Sequence, residues 1–182
     1  AVLGKTQMQG SARISRTQPR QIEAAVSSPL LDLTPLIARS AGEAETEAGK
    51  EHLFPDTPLP LDRLQGTDAR LQLTVGELRL DKLLLKGVDA AVTVKEGRMQ
   101  VRTKAHGGYG GTLGGSIEFL PTTAGLATLK VSLDLEDVRA GIAGGENVRP
   151  EEVPPTSLVA NLSSSGNSPR QLASAISGNL LY

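Results

Sequence analysis

The sequence predicts a mainly β protein: a long, curved and twisted antiparallel sheet with one short C-terminal helix. Two observations predict it. From Leu53 to Phe119 the apolar residues recur at every second position. Leu71, Leu73 and Val75 are followed by Leu78 and Leu80, Leu83 and Leu85, and Val88, Ala90, Val92 and Val94; Met99, Val101, Leu113, Ile117 and Phe119 resume the pattern. Strict period two is the mark of a sheet with one apolar and one wet face. The second observation is composition. With 20 Gly and 11 Pro, two Phe, two Tyr and no Trp, the chain suits many strands joined by tight turns better than a doubly wound enzyme. An apolar sheet face has to be buried against something. Few helices are on offer, so the expected cover is a ligand or another part of a longer protein.

A length of 182 residues allows one or two domains. With 19 basic and 20 acidic residues there is no basic face, and platforms for stacking bases are missing, so no nucleic acid is expected as a partner. The absence of Cys excludes a disulfide framework and a zinc ribbon. No run reaches the roughly 18 apolar residues of a membrane span, and no signal-peptide pattern is visible. The chain opens at Ala1 and stops at Leu180–Tyr182, in what reads as the start of another strand. It is therefore expected to be a piece of something longer, with any targeting or anchoring segment outside it.

In order, residues 1–39 read as the end of a preceding β module. Leu3 to Ser15 alternates weakly around Met8, Ala12 and Ile14, and Gln21–Ser27 places Ile22, Ala24 and Val26 on one face. Leu30–Leu36 reads as a helical turn or loop. Residues 40–52 form an acidic linker, with Glu43, Glu45, Glu47 and Glu51 among small residues; low hydrophobicity with like charge predicts disorder. Residues 53–182 form the main β module. Its opening, Phe54 to Pro60, is proline-rich and predicts extended chain along an edge. The apolar phase flips at Gly76 and again near Asp81–Lys82, so turns or bulges are expected there. Lys95-Glu96-Gly97-Arg98 predicts a hairpin turn. Ala127, Leu129, Val131, Leu133 and Leu135 make the next strand, and a Gly/Pro loop separates it from Leu158, Ala160 and Leu162. Ser168-Pro169-Arg170-Gln171 carries an N-cap, a proline at the first helical position and a capping-box Gln. Leu172 and Ile176 would share one face of a helix of about nine residues, closed by Gly178.

Motifs for chemistry fail on their surroundings. Gly4-Lys5-Thr6 has only the tail of a phosphate-binding loop, followed by strand alternation. The run Gly107–Gly111 with Gly114 and Gly115 lacks dinucleotide spacing and reads as strand glycines at sharp curvature. His52 and His106 have no ligand partners at metal spacing. No nucleophile elbow is present, and Asp134 and Glu136 read as surface acids. Asn161-Leu162-Ser163 fits a glycosylation sequon but lies in an expected strand. No catalytic residue, metal or cofactor is predicted.

Several segments, in order, resemble the C-terminal module of the AsmA family. They are Phe54-Pro55-Asp56-Thr57-Pro58-Leu59-Pro60-Leu61-Asp62-Arg63-Leu64, then Asp68-Ala69-Arg70-Leu71-Gln72-Leu73 with Gly76-Glu77-Leu78-Arg79-Leu80, then Leu85-Lys86-Gly87-Val88-Asp89-Ala90. Val92-Thr93-Val94-Lys95-Glu96-Gly97-Arg98-Met99 resembles the family's hairpin, and Gly110-Gly111-Thr112-Leu113-Gly114-Gly115 its glycine-rich strand. Ser165–Leu172 with Ser177-Gly178, and Leu31–Leu36 upstream, are similar to further segments. The resemblance spans about three-quarters of the chain and rests on the order of motifs that are individually unspecific. It implies a β-groove related to the repeating lipid-bridge proteins. It also implies a periplasmic location with inner-membrane anchoring by a segment outside this chain, and phospholipid transport between inner and outer membranes. The alternative is a non-enzymatic scaffold for outer-membrane protein or envelope assembly, with an envelope-protein partner.

The residues expected to line an acyl-lipid path are Leu71, Leu73, Leu78, Leu80, Leu83, Leu85, Val92, Val94, Val101, Leu113, Ile117, Phe119, Leu129, Val131, Leu133 and Leu135. Alternation alone leaves open which short runs share a face after each turn. For the acidic linker, limited proteolysis of the purified chain is expected to cut first between Ser40 and His52; full protection of that segment in hydrogen exchange would contradict the reading.

Overall fold

A computed structural model of the chain describes residues 2–3, 6–15, 18–34, 56–59, 61–80, 83–122, 125–139 and 154–182. The acidic linker expected at 40–52 lies outside the described residues. The molecule is built on one open nine-stranded sheet. A two-residue hairpin, β1 (Val2–Leu3) and β2 (Thr6–Gln7), precedes it. The sheet contains β3 (Gln9–Ser15), β4 (Arg20–Asp32), β5 (Thr67–Leu80), β6 (Leu83–Lys95), β7 (Arg98–Gly107), β8 (Thr112–Pro121), β9 (Ala127–Val138), β10 (Thr156–Gly166) and β11 (Ser177–Leu181). They lie side by side in chain order, with β3 and β11 at the edges. Adjacent strands run antiparallel except β4 and β5, which pair in parallel from Arg20–Thr67 to Asp32–Arg79. Antiparallel neighbours need only tight turns. The turn between β6 and β7 shows this: Glu96 and Gly97 take φ of 51° and 76°, the pair of positive values that a two-residue type I′ hairpin requires.

Four expectations are corrected. Leu30 and Leu31 do not begin a turn: β4 continues to Asp32, whose carboxylate accepts from the Thr34 backbone N–H. Pro29 is tolerated inside this strand because it lies beyond the last β3 pair, Gln9 with Ser27, where β4 has become an edge. Of the turn or bulge expected at Gly76, the turn is ruled out: β5 runs through it unbroken, and the phase shift is taken up beside it by an irregularity of β6. Gly107–Gly111 is a turn between β7 and β8 and not a curved strand, closed by bonds from the Gly107 N–H to the Gly111 carbonyl and from the Gly110 N–H to the Gly107 carbonyl. The helix, α1, covers only Pro169–Ser174. Its start is as expected, since Ser168 Oγ caps the Gln171 N–H. It ends early because Gly178 pairs with Leu162 in β11, against the β10 backbone, leaving Ile176 exposed.

Gly76 keeps the sheet apolar on one side. Strict alternation would send Leu73 and Val75 to one face and Leu78 and Leu80 to the other. Instead all four pack in one cluster with Leu85, Val88 and Ala105. The phase shift is shared between strands, for Gly76 stands in register between Pro29 of β4 and Gly87 of β6. Gly87 has φ 55°, and the ladder from β6 to β7 slips by one residue between Lys86 and Asp89. That is a β-bulge, and it absorbs the shift.

This close approach separates two strand glycines by experiment. A Cβ on Gly76 would stand 2.7 Å from the Pro29 carbonyl oxygen, whereas one on Gly114 would meet nothing nearer than Asp134 Cβ at 4.0 Å. Gly76→Ala is expected to lower stability by about 1–3 kcal/mol, and Gly114→Ala to leave it unchanged or raise it by up to about 1 kcal/mol. Urea denaturation measures both; equal effects would contradict the packing described.

Candidate functional site: an aliphatic sheet face

Residues opposite one another in a ladder share a face, so the register places every side chain. One row crosses the sheet through Ala12, Ala24, Leu71, Val92, Val101, Ile117, Val131 and Leu162. The row beside it, toward the β6–β7 turn, holds Val94, Met99, Phe119 and Leu129, and the row on the other side holds Leu73, Ala90, Thr103, Gly115 and Leu133. Beyond the bulge come Leu113 opposite Leu135, Leu78 opposite Leu85, and Leu80 opposite Leu83. All sixteen positions expected to line an apolar path therefore fall on this face by register; the side chain of Leu83 lies outside the described ones. The list of path-lining residues left out three contributors: Val75 and Val88, which stood in the same period-two runs, and Ala105, all among the most buried residues of the face.

The face is covered unevenly. At the end nearest the β6–β7 turn, Leu59, Leu61 and Leu64 pack with Met99, Leu129 and Leu172 of α1 around buried Phe119 and Ala127. Leu61–Leu64 is a 3-10 turn, and Asp56–Leu59 runs into it. This segment lies over central strands, not along an edge as the prolines suggested. It is tied down by the Leu59 N–H donating to the Asn167 carbonyl and by the Ser168 hydroxyl donating to Asp56 Oδ1, at 2.8 and 2.6 Å. Its leucines have no period to give them away; only their separation by prolines hinted at an ordered, extended segment. At the opposite end, Val75, Leu85 and Val88 bury themselves by their own packing with Leu31 and Leu113. Between these two clusters the middle row stays half-open, with Leu71 38% and Ile117 39% exposed.

The other face is polar. Arg70, Gln72 and Thr74 of β5 face across to Thr93, Ala91 and Asp89 of β6, then to Gln100, Arg102 and Lys104 of β7. His106, Asp134 and Glu136 also lie here, exposed and on separate strands or rows. Among the described residues no group of three or more His, Cys, Asp or Glu is placed to hold a metal ion, and no helix is long and apolar enough to cross a membrane.

Comparison of the chain with protein-family models, with curated proteins and with solved structures returned no match.

The ties of the covering segment are open to mutation. Ser168 is fully buried and serves both α1 and Asp56. Ser168→Ala is expected to cost about 1–2 kcal/mol, the usual loss for an N-cap, and to speed hydrogen exchange at the Leu59 amide. Unchanged exchange at Leu59 would contradict the tie.

Proposed function

We propose that this chain is a non-enzymatic segment of a lipid-conducting groove, carrying the acyl chains of phospholipid along its aliphatic face. The observation that carries the reading is the half-open middle row, Leu71 to Leu162, flanked at both ends by packed apolar clusters. Contiguous exposed apolar surface marks a binding surface more often than a free one. A 16-carbon chain left in water costs about 12 kcal/mol, at about 0.8 kcal/mol per methylene. A face of Leu, Val and Ile removes most of that cost without any specific polar contact. Six strands, β5 to β10, set roughly 4.8 Å apart make this row about 24 Å long, longer than the roughly 15 Å of one leaflet, half of a bilayer hydrocarbon core of about 30 Å. The resemblance to the AsmA family supports the same reading and adds its setting: the periplasm, between inner and outer membranes, with anchoring supplied from outside this chain.

A second reading is a scaffold whose aliphatic face packs on an envelope protein. It is favoured by the Leu59–Leu64 segment, which shows that the face accepts protein as cover.

One substitution tells these apart. Ile117 is exposed enough that Ile117→Asp should fold with a melting temperature within a few degrees of the parent. A carboxylate amid bound acyl chains must protonate or admit water, so co-purified phospholipid, measured by native mass spectrometry after gentle extraction, is expected to fall at least fivefold. A parent chain free of lipid, or a folded variant that keeps it, would overturn the groove reading. Loss of an envelope-protein partner with no change in lipid would favour the scaffold.

A further inference from the structure

The polar face holds a depression of about 750 Å³ spanning β5 to β10, within the usual range for ligand sites. Its lining identifies the face. Val159 and Asn161 line it while Ala160 between them does not, and Gln72, Thr74, Arg102, Lys104, Ser132 and Asp134 belong to the same side. It therefore opens on the side opposite the aliphatic face, with its floor along the strand segments of Leu73, Ala90, Thr103, Gly115 and Leu133, which lie between the flanking polar-side rows.

Three features distinguish it from an ordinary solvated sheet. Arg102 and Lys104 project from one strand, roughly 7 Å apart along it, and among the described residues neither forms an ion pair or a side-chain hydrogen bond. Small groups flank Arg102, with Ala91 and Ser116 opposite it; Lys104 stands between Asp89 on one side and Gly114 on the other. Gly114 is unexplained by packing, since a side chain there would enter open space. A glycine weakens a strand interior, and one with no internal cause marks a place where something else approaches the backbone. Finally, the two ends of the depression are pre-oriented, by the Thr74 hydroxyl donating to Asp89 at 3.2 Å and the Ser132 hydroxyl donating to Asn161 at 2.9 Å.

We propose that this depression is a second binding site, for an anionic saccharide. Arg102 and Lys104 would take a carboxylate or phosphate substituent as charge-assisted hydrogen bonds. Asp89 and Asp134 accept from ring hydroxyls, while Asn161 and Ser132 both donate and accept. The sugar backbone lies over Gly114, where a side chain would otherwise stand. A nucleic acid fits less well, because no aromatic side chain lines the depression for a base to stack on. The site does not depend on the lipid reading, since it occupies the opposite face.

The test is a titration of the ¹⁵N-labelled chain with tri-galacturonic acid, beside neutral galactotriose and inorganic phosphate. The expected result is saturable shifts confined to the amides around Arg102, Lys104, Gly114, Ser116 and Ser132 with the acidic trisaccharide, and weaker binding by tenfold or more with either control. Arg102→Gln with Lys104→Gln should weaken binding of the acidic sugar at least tenfold. Gly114→Leu should fold and abolish it. Should Gly114→Leu fail to fold, Ser116→Leu on the neighbouring row replaces it, and the parent shift map still decides. Equal binding of phosphate would reduce the site to a simple anion patch, and equal binding of galactotriose would remove the role of the cations. Shifts elsewhere, or none, would overturn the proposal.

Discussion

The arrangement depends on keeping one face apolar along strands that are too long for uninterrupted alternation to do so. A strand of 14 residues such as β5 keeps its side chains in phase only while its backbone stays regular, and a one-residue slip inverts every position beyond it. Here the inversion is built in and cancelled. Pro29, Gly76 and Gly87 stand side by side on three strands, and the β6 bulge takes up the extra residue. The line of irregularity continues to the Gly107–Gly111 turn and to Asp137, with φ of 51°, where the ladder to β10 also slips. Remove that line and Leu78, Leu80 and Leu85 would point into water on the polar side.

The same economy explains the uneven cover. Among the described residues, one six-residue helix and the segment carrying Leu59, Leu61 and Leu64 cover the nine-stranded face. Both lie at the end where Phe119, the only aromatic on that side among the described strands, needs the largest area removed from water. The far end relies on close packing between strands that carry Val and Leu on facing positions. The middle row receives neither. That leaves a band of aliphatic surface about two residues wide along the strands and six strands long across them, a shape that suits the acyl chain proposed to lie there.

Much of this was legible in the residues. Alternation identified the strands from Leu71 to Leu135, because side-chain direction has period two whatever the neighbours do, while which runs share a face came only from the register between strands. The Gly97 hairpin was readable because it needs positive φ, which few residues adopt, and the Ser168 cap because its hydroxyl followed by Pro169 is the side-chain pattern that satisfies the first N–H groups of a helix. The parallel pairing of β4 with β5 was not readable, since nothing local distinguishes a strand that pairs with its successor from one that pairs across a long connection. The packing of Leu59, Leu61 and Leu64 was hidden for a related reason: prolines suppress periodicity, and the partners Met99 and Phe119 lie far along the chain. Ile176 was misplaced because a helical spacing continued past the point where pairing of Gly178 with Leu162 took over. The polar depression left one mark only, a glycine at 114 with no turn to justify it.

The central claim, that one face and not the other carries acyl chains, is tested most directly by scanning a photo-crosslinking amino acid along β7. Residues 99 to 104 alternate strictly between the two faces. The account expects crosslinks to phospholipid from Val101 and Thr103, few from Met99 beneath the Leu59–Leu64 cover, and none from Gln100, Arg102 and Lys104. Crosslinks without that alternation, or from the polar positions alone, would contradict it.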